Sequence, residues 1–383
     1  MKKIIIIHVT PLLERLKNGF LIDTYIESGF ELEYWDLHSV LENFTLYPEE
    51  LTYPYVFKFN SLSEAENRLV KIDKKNTIFI LAFDFIWRFR HLFHLLARHN
   101  CYMVRIDIYP NPFSFNQISF NKYSLQYIFS FHTLKMFTKY FITIMYHLLN
   151  SKKQNKIFKN YFACISSDFR TNKINSADYE IFQSIKNDAS RIIDDQYMVF
   201  LDIFFSSHPE TISLSKNSLS IAEDYQQSMR IFFDWLEQKF HMPVVIAAHP
   251  SSTYENHEFG NRRIIKNKTA RLVKDADYVL THLSTSTVLA ILFDKPILFI
   301  KTNKMNLHAG FSSKISLLAN YVGKYAYNID KVNYDEIEFT KLDRSIRENY
   351  IYSYITSRET ENKSNKDIIL NEFNNIFDKL ESS

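Results

Sequence analysis

Apolar residues along the first hundred positions come in short runs separated by amphipathic stretches. Lys3–Val9 is almost continuously apolar, as a central parallel strand is. Pro11 to Ile26 has the spacing of a helix, and Phe30–Trp35 reads as the next strand. Thr77–Phe83 and Cys101–Ile108 are further apolar runs, with a helical stretch at Ile86–Ala97 between them. This alternation predicts parallel β/α units. The second half repeats it more regularly. Strands are expected at Tyr197–Phe204, Pro243–Ala248, Arg263–Lys266, Tyr278–His282 and Pro296–Ile300. Ile221, Tyr225, Met229, Phe232, Leu236 and Phe240 recur every three to four residues, so a long helix follows the first of them. Ser220 and Glu223 have capping-box spacing for its start. Asn267 is placed to cap a helix reaching Asp275, and Ser286–Phe293 is a further helix. Ser364 is placed to cap a final one.

The chain is therefore expected to be α/β with two Rossmann-like domains. The predicted boundaries are 1–190 for the first domain, 191–335 for the second, and 336–383 for helices that return to the first. Its 383 residues suit two domains of ordinary size. Composition adds little: five glycines, 34 Phe and 24 Tyr fit an AT-rich coding sequence as well as any function. Cys101 and Cys164 share no metal-like or disulfide pattern, which points to a reducing, cytoplasmic setting. The run after Met1-Lys2-Lys3 is too short for a signal peptide, and no stretch is long enough to span a membrane.

One segment departs from the rest. Residues 108–167 contain no Asp or Glu but carry Lys122, Lys135, Lys139, Lys152, Lys153, Lys156 and Lys159 among many aromatics. Two readings stand level: a peripheral contact with an anionic membrane surface at the inner face of the cell membrane, or an insertion whose aromatics belong to the core. The lack of arginine argues against nucleic acid as a partner.

The common phosphate-binding, zinc and serine-nucleophile motifs are missing, and no clustered acidic pair anchors a divalent ion. No metal and no cofactor is expected. What remains lies at predicted strand ends of the second domain, where open α/β sheets bind ligands. Ser284, Thr285 and Ser286 precede a helix, and hydroxyls with free backbone N–H groups there suit a phosphate. His249, ahead of Pro250, is placed to assist a leaving phosphate. Asp202 is a candidate base, with a turn-capping role as the alternative. His282 and His208 are candidate supporting residues, while His208-Pro209-Glu210 also reads as a simple turn. Arg262, Arg263, Lys266 and Lys268 could meet a diphosphate, though a solvated helix entrance is the better reading.

His249-Pro250, then Ser284-Thr285-Ser286, then Lys295-Pro296 opening a strand, resembles bacterial surface-polysaccharide glycosyltransferases. Sialyl-, polysialyl- and Kdo transferases carry an acidic, a His-Pro and a Ser-Ser or Ser-Thr motif in that order. The acidic motif departs from their two acids and glycine: Asp202 stands alone, and Asp194-Asp195 is followed by Gln196. The resemblance covers about a hundred residues, Tyr197 to Ile300, a stretch that also resembles proteins of capsule and O-antigen gene clusters. It implies a GT-B-like fold, with the two domains facing a cleft. It implies a metal-independent, inverting transfer from a nucleotide sugar, with CMP-sugars favoured, to an oligosaccharide or lipid-linked acceptor. His249 would serve the donor phosphate and Ser284, Thr285 and Ser286 would hold it. Polyol-phosphate transfer and nucleotide-sugar epimerisation are the alternative activities on such a fold. A non-catalytic binding scaffold in polysaccharide assembly is the alternative without chemistry.

Overall fold

The computed structural model describes residues 1–41, 50–83, 87–108, 158–164, 171–205, 218–250, 252–255, 257–307 and 311–382. The lysine-rich segment falls almost wholly outside these, as does His208. No helix of the described residues is long and apolar enough to cross a membrane.

The chain divides into two compact units. One is Met1–Ser176 together with Ser357–Ser383, and the other is Ala177–Thr356. Each is built on a parallel sheet. The first has strands β1 (Lys3–His8), β2 (Glu31–Asp36), β3 (Val56–Lys58), β4 (Thr77–Leu81), β5 (Tyr102–Asp107), β6 (Asn160–Ala163) and β7 (Thr171–Lys173), in the order β3-β2-β1-β4-β5-β6-β7. The second has β8 (Met198–Leu201), β9 (Val244–Ala248), β10 (Ile264–Lys266), β11 (Tyr278–Thr281), β12 (Ile297–Lys301) and β13 (Ala326–Asn328), in the order β10-β9-β8-β11-β12-β13. In both, the unit's first strand is central and the order reverses beside it. Such a switch point opens a crevice at the carboxyl ends of the strands.

Ile4 to Ile7 are fully buried, which is why β1 has no polar alternation. Burying each such side chain stabilises the fold by about 1.5–3 kcal/mol. Glu33 is one of two buried carboxylates on β2, the other being Asp36. Glu33 takes both Arg68 Nε and Nη2 at 2.8 Å, and Trp35 Nε1 at 2.7 Å. Burial pushes its carboxyl up, but these donors and Lys3 outweigh that and leave it below its usual range.

The helix expected from Pro11 to Ile26 is broken. Glu14–Gly19 and Ile22–Glu27 are separate helices, because Leu21 takes the left-handed conformation at φ 57°. The break turns Phe20 inward, where its edge meets the His8 ring. The final helix, Asn365–Glu381, is capped by the Ser364 hydroxyl, which accepts from Asp367 N–H at 3.1 Å. Its Phe373 and Phe377 stack on Tyr25 and Phe30. Asn175 and Asn365 then lock the segment in place. Asn365 Oδ1 accepts from the Asn175 backbone N–H at 2.7 Å, and Asn365 Nδ2 returns a bond to the Asn175 carbonyl at 2.8 Å.

The Ala177–Ile185 helix, placed by the sequence reading in the first domain, belongs to the second unit. Its Phe182 meets Phe293 edge-on at 4.9 Å. Likewise Arg344–Tyr350 stays in the second unit, because Arg347 donates to the Ile291 and Leu292 carbonyls at 2.7 Å. The helix after β8 spans Ser218–Phe240, so Ser220 lies inside its first turn rather than ahead of it. Its Tyr225, Met229, Phe232 and Leu236 are fully buried, as their spacing predicts.

Candidate functional site

The carboxyl ends of β9, β8 and β11 lie side by side in the second sheet. Leu201 is in register with both Ala247 and Thr281. The next residues of the three strands therefore bring Asp202, the His249-Pro250 turn and the Ser284–Ser286 loop to one sheet edge. That edge is the switch point between β8 and β11.

Asp202 is buried, and its carboxylate is heavily engaged. Oδ1 accepts from Phe204 N–H at 2.9 Å. Oδ2 accepts from His249 N–H at 3.1 Å and from the Tyr254 hydroxyl at 2.9 Å. Burial pushes the Asp202 carboxyl up to about 6, against the pull of these donors and of Ile203 N–H. The same burial, reinforced by the Asp202 charge, holds the Tyr254 hydroxyl well above its ordinary range. Asp202 thus fastens the end of β8 to both sides of the His-Pro turn. Within that turn Ser252 N–H donates to the His249 carbonyl at 2.9 Å, and Lys266 Nζ reaches the Ser252 carbonyl at 3.1 Å. His249 itself is half-buried.

Ser284 to Ser286 form the entry to the Thr287–Leu292 helix. Ser284 Oγ accepts from Ser286 N–H at 3.3 Å, and its carbonyl accepts from Thr287 N–H at 3.1 Å. Thr287 is buried, with its hydroxyl 3.0 Å from that of Thr281, which anchors the loop to β11. Thr285 is exposed and Ser286 half-buried, and neither hydroxyl is used as a cap.

His282 lies at the same strand end but is sealed in the core. Its Nδ1–H donates to the Ile300 carbonyl at 2.6 Å, which leaves Nε2 to accept from Tyr225 O–H at 3.0 Å. Burial pushes its pKa down to about 4, so the ring is neutral. Its hydrogen bonds serve packing between β11, β12 and the long helix rather than His249.

The basic run is split across the sheet. Arg262, at the amino end of β10, is held by Asp234 and Glu237 at 2.6 and 2.7 Å and lies over the Phe233 ring. Lys268, past the carboxyl end of β10, is exposed and precedes the Thr269–Asp275 helix. Asn267 does not cap that helix. It takes φ 60° in the turn before it, a conformation asparagine tolerates better than most residues.

Sequence reasoning missed Tyr254. It sits five residues beyond His249 in a stretch without periodicity, and only the folded turn brings its hydroxyl to Asp202.

No protein-family model matches the chain, and no curated protein sequence does. Solved structures do match in fold. The wall teichoic acid polymerase TagF is similar over 100% of this chain and 90% of its own, with a TM-score of 0.52 and 9% identity. The calicheamicin glycosyltransferase CalG4 is similar over 98% of each chain, with a TM-score of 0.50 and 12% identity. Identities this low speak to fold alone. This protein has two parallel-sheet Rossmann-like α/β domains, the architecture of GT-B glycosyltransferases.

Proposed function

We propose that this protein is a glycosyltransferase that moves a sugar from a nucleotide-activated donor to an acceptor in surface-polysaccharide assembly, an oligosaccharide or a lipid-linked sugar. One observation carries the reading. His249 and the Ser284–Ser286 hydroxyls share a sheet edge at the switch point of the second unit, with the His249 turn pinned by a buried carboxylate.

In this reading Thr285 and Ser286 offer hydroxyls to the donor phosphate, and His249 stabilises or protonates it as it leaves. Asp202 is better suited to positioning than to removing the acceptor's proton. A base needs a lone pair aimed at substrate, and a carboxylate has about four such sites. Three are occupied at the distances above, and Ile203 N–H adds a fourth donor. The hydroxyl turn would hold a phosphate whatever that phosphate carries, so polyol-phosphate transfer is the second reading.

Thermal-shift measurements with UDP-, GDP- and CMP-sugars and with CDP-glycerol should find a stabilising ligand, and its product separates the two readings. His249→Ala should then lower kcat by at least about 100-fold with the fold intact. Turnover that survives both His249→Ala and Ser286→Ala would place the site elsewhere.

A further inference from the structure

The amino edge of the second sheet holds a cavity of about 560 Å³, lined by residues ahead of and at the start of its strands. That volume is in the range of small-molecule sites. Its floor is apolar: Val244 and Val245, which open β9, are buried, and so is Ile193. His249 follows the other end of β9, and at about 3.3 Å per residue it lies roughly 16 Å from Val244. The cavity is therefore separate from the His249 turn.

One wall is the Ser218–Phe240 helix, where Arg230, Asp234 and Glu237 share a face by their spacing. These charges are already committed. Arg262, whose side chain is only 7% exposed, lies between Asp234 and Glu237 and also donates to the Phe259 carbonyl at 2.9 Å. Arg230 Nη2 donates to Glu223 and Gln227, each at 2.9 Å, and Nη1 to the Glu258 carbonyl at 3.1 Å. Glu223 neutralises Arg230, and Arg262 faces two carboxylates, so this wall is net negative. A phosphate would find its guanidinium groups occupied and its carboxylates repelling.

Two lining residues are uncommitted, Arg263 ahead of β10 and Asp195 ahead of β8. Both are exposed, and neither side chain has an ion pair or hydrogen bond among the described residues, with the other or with any third group. β9 runs between β10 and β8, so the two stand on opposite sides of the apolar floor, about 10 Å apart at the backbone. A ligand with a single charge satisfies one of them and is repelled by the other. A zwitterion satisfies both, and an apolar body between its charges and the floor covers Val244 and Val245.

We infer that this cavity binds a zwitterion of the α-amino acid class, its carboxylate on Arg263, its ammonium on Asp195 and its side chain over the valines. The inference stands whether or not the protein transfers a sugar.

The test is isothermal titration of the full chain with L-leucine and L-phenylalanine. Each is compared with the amine and the carboxylic acid formed by deleting one of its charged groups. At least one amino acid should bind, and its two single-charge analogues should bind about tenfold more weakly or worse. Arg263→Gln should erase the preference over the amine, and Asp195→Asn the preference over the acid. Both residues are exposed, so both variants keep the fold. His249→Ala should bind the amino acid as the wild type does. No binding of either amino acid at millimolar concentration, analogues that bind as tightly as their parent, or preferences intact in both variants overturns the proposal. Loss of binding in His249→Ala overturns its placement at the amino edge.

Discussion

Replacing Asp202 by asparagine removes a buried charge while keeping the side chain's shape. Burial raises the Asp202 carboxyl from its ordinary 3.8 to about 6. That rise corresponds to about 3 kcal/mol of preference of the folded state for the protonated form. The contribution is present below the unfolded pKa and is lost as pH rises through the folded one. Between about pH 5 and about pH 7.5 the wild type therefore loses about 1.4 kcal/mol through this group. Asparagine does not titrate. Its amide must also face at least one of the three donors, a loss of about 1–3 kcal/mol at either pH. The variant's deficit should thus be larger at about pH 5 than at about pH 7.5, by about 1.4 kcal/mol. In a unit of this size that difference is about 3–5 °C in melting temperature. Calorimetry on both proteins at both pH values measures it, and other titrating groups cancel in the comparison. A deficit independent of pH, or one that grows toward neutral pH, would refute the reasoning. Turnover supplies a separate test of positioning: kcat should fall about 100-fold as the His249 turn loosens, with a smaller fall for Tyr254→Phe.

Two further outcomes are expected. His282→Leu leaves the Tyr225 hydroxyl and the Ile300 carbonyl buried without partners, so the second unit should lose about 2–4 kcal/mol in urea unfolding while nucleotide affinity is retained. A chain ending at Thr356 should lose the cooperative melting transition of the first unit and keep that of the second, and limited proteolysis would show which unit is cut.

Much of this architecture was legible because central parallel strands are buried on both faces. Ile4–Ile7, Thr77–Leu81 and Val244–Ala248 have no polar alternation to disguise them. The short edge strands β3, β7 and β13 have three residues each, too few for any period to register. The break at Leu21 has its signal just before it, in Asn18-Gly19, a pair that favours turns and that the expected helix runs through. Strand-end positions of His249 and His282 could be read from the chain, with His282 expected only to support, but the partners of His282 could not. His282 is sealed by a tyrosine on a distant helix and by a neighbouring strand's carbonyl. Arg262 and Lys268 look like one basic patch in sequence, and a three-residue strand sends them to opposite edges.

The reciprocal amide pair of Asn175 and Asn365 has a consequence for synthesis. The first unit is made from both ends of the chain, so a ribosome completes the entire second unit before it makes the helix carrying Phe373 and Phe377. At ordinary elongation rates the Ser357–Ser383 segment takes roughly 1–5 s to make. Through that interval Tyr25, Phe30 and Phe162 lack the rings of Phe373 and Phe377, and the Asn175 backbone N–H lacks the Asn365 side chain. The domain begun first is finished last, and its apolar face is the nascent chain's point of exposure to chaperones and to aggregation.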